Sequence, residues 1–372
     1  MTTVLVSGAI ANKRGYGGST WVRMSWAEGL RALGFDVVFV EQLPLPGAAA
    51  AAAFDAVMAT FGFAGSAALV CPATGAVHGM ARAELLDRAA DAALLVNLTG
   101  HLRWPPLRER VRCAAYVDLD PGYTQVWSAQ GHDMGLAGHD LHFSVGLNVG
   151  SSRCALPDAG VRWLPVRQPV VLDRWPVAAG GFSGYTTVAS WRGAYGPLEW
   201  AGRVLGPKAH EFRRVAELPR STGLPFSVAL DIHPADAKDR DALLANGWRL
   251  ADPREEAPGP LEFRRYVERS GAEFSPAQAV YVHTRSGWFS DRTVRYLASG
   301  RPALVQDTGF GDVLPVGEGL LAYSTPDDAV ALARELAGDH ARHAVAARRI
   351  AEREFAHDRA LAPLLDAAGM GP

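Results

Sequence analysis

Short apolar runs alternate with longer amphipathic stretches along almost the whole chain, and few folds can bury both. Residues 4–10 are apolar, and Val22, Trp26, Leu30 and Leu33 then recur at helical spacing up to a stop at Gly34. Next come a strand-like run over 36–41, an Ala-rich helix over 48–61, a strand over 67–71, a helix over 79–91, and strands over 92–97 and 114–117. The rhythm restarts further on, with strands over 185–190, 226–232, 248–251, 302–306 and 319–323 and helices over 209–218, 237–245, 261–270 and 326–336. Strands separated by helices of these lengths predict parallel strands joined by helical crossovers, an α/β fold with doubly wound sheets.

A chain of 372 residues is too long for one such core and predicts two. The boundary falls in residues 161–176, VRWLPVRQPVVLDRWP, which are studded with Pro and run into the loose AAGGFSG of 178–184. This predicts one Rossmann-like domain over 1–170 and a second over 171–342. The Arg-rich segment 343–365 reads as helical, within a closing segment 343–372.

Hydrophobic residues make up 48% of the chain and the formal charge is −2, so no bulk electrostatic attraction to nucleic acid or anionic membrane is expected. Cys71, Cys113 and Cys154 are odd in number and far apart, which argues against a disulfide framework and for a reducing, cytoplasmic setting. The first residues, MTTVLVSGAIA, lack a basic lead and read as a strand rather than a signal peptide. No run approaches the roughly 20 apolar residues of a membrane span. The richness in Ala, Gly and Arg points to a high-GC bacterial source.

One stretch carries the chemistry: YVHTRSGWFSDRTVRYLASGRPALVQDTGFGDVLP, residues 281–315. It predicts a strand over 279–283, a Gly-containing turn, a helix from Phe289 or Ser290, a stop at Gly300, and a strand over 302–306 ending in a second Gly loop. In an open parallel sheet ligands bind beyond the carboxyl ends of the strands, where helix N-termini present free N–H groups to anions. Ser290 and Asp291 occupy the expected N-cap, with Arg285, Ser286 and Arg292 around it. A phosphate suits that turn; an ordinary capped helix is the other reading.

The run TRSGWFSDRT resembles the donor-binding signature of GT-B glycosyltransferases, whose plant and antibiotic members carry Thr-His-Cys-Gly-Trp-Asn-Ser here. The continuation VRYLASGRPAL is similar to the Leu-Glu-Ala-Met-Ala-x-Gly-x-Pro-Val run of the large retaining GT-B family. Thr284, Gly287, Trp288 and Ser290 match in the first comparison, and Ala298, Gly300 and Pro302 in the second. The resemblance implies two Rossmann-like domains facing a central cleft, the first for the acceptor and the second for the nucleotide-sugar donor, with the closing helix 343–372 crossing back onto the first. It implies that Ser290, with Ser286, Gly287, Trp288, Phe289 and Asp291 around it, holds a nucleoside diphosphate, and that Asp307, Gly309 and Phe310 face the donor sugar. The family histidine is replaced by Arg285, which keeps a positive charge beside the phosphates. The family's ribose-binding glutamate would fall at Thr293 or Arg295, leaving Asp291 as the nearest carboxylate. The retaining family's first glutamate falls at Gly287.

The opening βαβ also invites a dinucleotide reading with Glu41 on the ribose, but its glycines come as G-x-G-G and lie well after the strand, where the fingerprint needs G-x-G-x-x-G. In GT-B proteins the equivalent loop, 11–19 here, lies across the cleft, and its Gly17 and Gly18 would approach the donor. A flexible surface loop is the alternative. His101, after the strand over 92–97, resembles the GT-B histidine that contacts the transferred sugar; a histidine satisfied by loop backbone is the plainer reading. Of Asp118 and Asp120, one would orient or deprotonate an acceptor hydroxyl and the other cap the helix near Tyr123. His132, His139 and His142 with Asp133 and Asp140 lack the spacing of a helical metal pair. By location in the second half, Arg192 and Lys208 correspond to the Arg and Lys with which large GT-B families neutralise the leaving diphosphate. Trp191 and Leu250 stand where the donor and its base would lie.

The expectation is therefore a glycosyltransferase of the GT-B fold. It would move a sugar (hexosyl) unit from a UDP- or dTDP-linked donor to a small-molecule, glycolipid or saccharide hydroxyl, with no metal or other cofactor, as in natural product biosynthesis. The protein would be a monomer or homodimer with neither nucleic acid nor membrane as partner. A nucleotide-sugar epimerase and a non-catalytic nucleotide-sugar binding protein are the rivals.

Overall fold

A computed structural model describes residues 1–13 and 15–371, and each of its two units is built on its own sheet. Arg14, in the loop expected over 11–19, and Pro372, at the end of the closing segment, lie outside the described residues. The described residues of Met1–Gly150, Pro157–Val171 and Ala356–Pro372 form the first unit, and Ser151–Leu156 with Leu172–Phe355 the second.

The first unit runs β1 (Thr3–Ser7), α1 (Gly17–Ala32), β2 (Asp36–Gln42), α2 (Ala48–Thr60), β3 (Ala67–Cys71), β4 (Ala76–His78), α3 (Arg82–Asp91), β5 (Leu94–Leu98), α4 (Pro105–Arg108), β6 (Ala114–Asp118), α5 (Tyr123–Ala129), β7 (Leu141–Ser144) and β8 (Trp163–Pro165). Its strands lie in the order β4-β3-β2-β1-β5-β6-β7-β8, and β4 pairs antiparallel with β3 while the others pair parallel. β3, β5 and β6 are buried along their whole length, which is why they read as near-continuous apolar runs, broken only by Asn97 and Asp118. The order reverses at β1 and β5, so the loops after those strands flank a crevice of the kind that binds ligands in doubly wound sheets.

The second unit runs β9 (Tyr185–Ser190), β10 (Leu198–Trp200), β11 (Arg203–Leu205), α6 (Lys208–Arg214), α7 (Leu218–Thr222), β12 (Phe226–Asp231), α8 (Ala237–Ala245), β13 (Arg249–Ala251), α9 (Pro253–Glu256), α10 (Pro260–Glu268), β14 (Ala272–Ser275), α11 (Ala279–Thr284), α12 (Asp291–Ala298), β15 (Ala303–Gln306), β16 (Leu320–Tyr323), α13 (Pro326–Gly338) and α14 (His340–Ile350). Its main sheet is all parallel, β13-β12-β9-β14-β15-β16, with the reversal between β9 and β14, and β10–β11 is a separate hairpin. Phe226, Trp248 and Phe274 interlock with centroids 5.2–5.8 Å apart at its core. α15 (His357–Ala367) belongs to the first unit, where Gly29 of α1 faces it: a Cβ there would lie 3.0 Å from His357 and from Leu361.

Three expectations are corrected. Residues 279–283 are helix α11, and the strand of that stretch is β14 just upstream; a five-residue apolar run carries no period that separates a buried strand from a buried helical turn. The Pro-rich segment expected as linker contributes β8, and β4, β7 and the hairpin β10–β11 were not expected either, because strands of three or four residues leave little pattern. The closing helix is not continuous: α14 passes through a π-helical turn at Ala351–Phe355 before α15, and the chain rejoins the first unit at Ala356, not 343. Among the described residues no helix is long and apolar enough to cross a membrane.

Candidate functional site

The ladder between β9 and β14 ends after Tyr185↔Ala272 and Thr186↔Glu273. Beyond that point the strands part, and the guanidinium of Arg292, from the first turn of α12, occupies the opening. Its Nε donates to Glu273 at 2.6 Å, one terminal nitrogen to the Val188 carbonyl at 3.0 Å, and the other to Ser275 Oγ. Ser290 is the N-cap of α12, yet its hydroxyl is not used to cap the helix. The N–H groups of the first turn have no acceptors within the helix.

Lys208 opens α6 and is 9% exposed. Its ammonium makes no hydrogen bond or ion pair among the described residues. Burial, and then the charge of Arg292, lower its pKa to about 7 against the weaker pull of Glu273 and Asp291. A buried cation without a partner is costly to hold unless an anion arrives.

Around this group the structure rearranges the roles expected of the lip. The Gly287 N–H donates to the Thr308 carbonyl (2.8 Å), Thr308 Oγ1 to the Trp288 carbonyl (2.6 Å), and the Gly309 N–H to Asp307 (2.9 Å). Those contacts staple loop 286–289 to loop 307–311, so the Gly287 and Gly309 amides expected to face the donor are spent within the protein. The Trp288 N–H likewise goes to the buried Ser286 hydroxyl (3.3 Å). Phe289 and Phe310 meet edge to face at 5.1 Å, and Phe289 stacks on Phe355; both are core side chains under the lip. Trp288 lies flat on Tyr281, centroids 4.4 Å apart. The pocket lined by Ser275, Trp288, Ser290 and Gln306 holds only about 10 Å³, room for one water.

One further expectation fails on burial. Trp191 is 1% exposed, packed on Phe212 with its indole N–H on Asp239 (3.2 Å), so its side chain serves the core and not a donor. Arg192 follows the carboxyl end of β9, half exposed, with its guanidinium forked onto Asp236 at 2.7 and 3.0 Å. Leu250 lies half-buried on the edge strand β13, against the core. Arg285 is half exposed, paired with Asp312 (2.7 Å) and within 4.0 Å of Asp307.

In the first unit the loops after β1 and β5 carry a second polar group. Glu41 accepts from the Ala11 and Asn12 N–H groups (2.7 and 3.0 Å); it ties down the β1 loop and is not free for a ribose, which removes the dinucleotide reading. Gly17 and Gly18 are not in a loop but form the first turn of α1. His101 Nε2 is buried without a hydrogen-bond partner among the described residues, and burial, then Arg23, drop its pKa to about 4. Asp120 lies near Lys13, whose ammonium is pulled below its usual range by burial and Arg23 while Asp120 opposes. Asp118 is structural: fully buried, it accepts from Thr124, Gln125 and Ser144 at 2.7–2.9 Å.

No protein-family model and no curated protein matches the chain. Solved structures do. An alpha-glucosyltransferase in complex with UDP and a 13-mer DNA containing a HMU base is 11% identical, with 99% of each chain covered and a TM-score of 0.61. Anabaena Alr3699/HepE in complex with UDP and glucose is 11% identical over 99% of this chain and 100% of that one, TM-score 0.60. A sucrose-phosphate synthase from Thermosynechococcus elongatus is 12% identical over 100% and 97%, TM-score 0.53. The chain has the GT-B fold.

Within this GT-B chain, sequence reasoning placed Arg292 beside the turn but gave it no task. The signal lay in Glu273, a charged residue inside a strand buried along its whole length. Such a carboxylate is fully buried only when paired, and its partner is Arg292.

Proposed function

We propose that the chain is a glycosyltransferase moving a sugar from a nucleoside-diphosphate donor to an acceptor hydroxyl, with no metal. The observation that carries this reading is Lys208: a largely buried lysine with no hydrogen-bond or ion-pair partner among the described residues, in the electrostatic field of Arg292 and Asp291 of the first turn of α12. Departure of a nucleoside diphosphate from an anomeric carbon builds negative charge on the β-phosphate. Lys208, the Ser290 hydroxyl and the α12 N-terminus supply fixed positive charge and donors for it, and each such donor contributes a few kcal/mol to lowering the barrier. These groups replace the divalent cation that other sugar transferases use, and melting stabilisation by UDP is expected to be indifferent to EDTA.

In the first unit His101, neutral near pH 7 with a buried Nε2 that has no hydrogen-bond partner among the described residues, is our candidate to take the acceptor proton; Asp120 is the alternative base. UDP is favoured over dTDP because two structural relatives were solved with UDP. The formal charge of −2 favours a small-molecule, glycolipid or saccharide acceptor over DNA, although one relative was solved with DNA. Unpaired Cys71, Cys113 and Cys154 suit a cytoplasmic setting.

The test is a mass-spectrometric screen of the full chain against a panel of nucleotide sugars, with and without pooled hydroxyl acceptors. Nucleoside diphosphate released together with a glycosylated product supports transfer. An isomerised nucleotide sugar formed without acceptor points to the epimerase, and binding without turnover to a non-catalytic binding protein.

A further inference from the structure

The turn that carries His101 is built from conformations that do not hold themselves. Thr99, a β-branched residue, takes φ +57° and Gly100 follows at +61°. Tyr116 of β6 lies so close that a Cβ on Gly100 would meet its Cε2 at 2.6 Å. A strained turn persists only where its surroundings fix it, and such turns gather at functional sites. Here the fixing comes from Asn97, buried in β5. Its Oδ1 accepts the Leu102 N–H and its Nδ2 donates to the Leu102 carbonyl, both at 2.9 Å, so one side-chain amide clasps the residue next to His101. Gln42, at the end of β2, takes the Arg103 N–H on Oε1 at 2.8 Å.

Asn97 Nδ2 also lies 2.9 Å from His139 Nε2, and this contact fixes the histidine's tautomer. Turning the Asn97 amide over would set its NH2 against the Leu102 N–H, so Nδ2 must donate and His139 Nε2 must accept. The His139 proton then sits on Nδ1, which faces the Leu136 carbonyl at 3.2 Å. The ring meets Tyr116 edge to face, centroids 5.4 Å apart, and Tyr116 is the same ring that crowds Gly100. A neutral histidine in one tautomer thus completes the hold on the turn from the far side of Asn97.

We infer that Asn97 and His139 are positioning residues for His101, holding the strained turn so that the His101 imidazole keeps Nε2 aimed at the acceptor hydroxyl. The inference rests on the reading of His101 as the base and adds two residues which that reading does not name. His101 Nε2 has no hydrogen-bond partner among the described residues, while the Gln42 carbonyl bonds the imidazole, which leaves the ring proton on Nδ1 and the lone pair on Nε2. As the acceptor oxygen bonds the anomeric carbon, its proton passes to Nε2 and the electrons of the donor's C–O bond leave with the nucleoside diphosphate.

Imidazole nitrogen NMR of the full chain, together with rates of transfer from UDP-glucose, tests this. In the wild type His139 is expected with Nδ1 protonated and Nε2 bare; the opposite tautomer overturns the latch, and this measurement stands even where a variant fails to fold. His139→Leu removes the acceptor for Asn97 and is expected to shift the His101 resonances and lower kcat by about 10²-fold, with UDP affinity unchanged. His139→Gln, whose side-chain oxygen replaces Nε2 as acceptor, should return both close to wild type. In the His101→Gln background His139→Leu should lower kcat no further, because its effect runs through His101; a side chain that only stabilises the fold gives a loss that adds. His101 resonances and kcat that ignore His139→Leu overturn the positioning role and leave His101 as base. Full turnover by His101→Gln overturns the base itself and the inference with it. Where UDP-glucose is not turned over, the spectra decide: His101 resonances moved by His139→Leu and restored by His139→Gln support the latch, and unmoved ones overturn it.

Discussion

Arg285 and Asp312 hold each other at 2.7 Å, and the arginine does so from a left-handed backbone conformation, φ +50°. Half exposed, the pair is exchangeable and adds less than about 1 kcal/mol to stability. On the proposed donor reading a diphosphate would compete with Asp312 for this guanidinium. Arg285→Ala is expected to weaken UDP more than uridine, by about tenfold, and Asp312→Asn to strengthen UDP a few-fold. Arg285→Gly should unfold at higher denaturant than Arg285→Ala, by roughly 1 kcal/mol, because glycine adopts the left-handed conformation without strain. Equal losses of UDP and uridine affinity would remove Arg285 from the phosphate site.

Ser290 stands at the N-cap of α12 without bonding to it. An N-cap serine that bonds its helix costs about 1 kcal/mol when replaced by alanine. Here Ser290→Ala should shift the denaturation midpoint little, while UDP affinity drops about tenfold. A variant that is much less stable but binds UDP normally would assign Ser290 to the fold.

Lys208 carries a stability penalty with a defined pH window. Its folded pKa of about 7 lies below the unfolded value, so the unfolded chain binds the extra proton between the two. Stability on its account thus rises as pH increases through about 7 toward 10, and below pH 7 the buried charge costs a few kcal/mol. Lys208→Met is expected to raise the melting temperature of the ligand-free protein at pH 6 and to flatten that rise, while lowering transfer activity by 10²-fold or more. Melting curves at pH 6 and pH 9 check it.

For His101 the window is acid. Its pKa of about 4 in the folded chain lies below the unfolded value near 6.5, so its contribution is present above pH 6.5 and lost as pH falls toward 4. His101→Gln should therefore weaken acid denaturation over that range. It should cost about 10²–10³-fold in turnover if His101 takes the acceptor proton. The wild-type rate should show no inflection near pH 6.5 from this residue. Unchanged turnover in His101→Gln would shift the base to Asp120.

Much of the architecture was legible because long-range alternation of strand and helix constrains topology, and the expected runs at 67–71, 185–190 and 237–245 coincide with β3, β9 and α8. What was not legible is whatever depends on partners distant in sequence. Arg192 and Lys208 look alike as cations after a strand, yet Asp236 pairs with the first and no described residue pairs with the second. Gly287 reads as an open turn, but its amide closes on Thr308, a contact that periodicity cannot foresee. Asp118 and Asp120 are two residues apart, and only Thr124, Gln125 and Ser144 converging on Asp118 separate a structural carboxylate from a candidate base.

The most direct test is a crystal structure of the full chain with UDP. The β-phosphate should lie within hydrogen-bond distance of Ser290 and Lys208 at the N-terminus of α12, and the Arg292 clamp on Glu273 should be unchanged. UDP bound elsewhere, with Lys208 still lacking an anionic partner, would contradict the account.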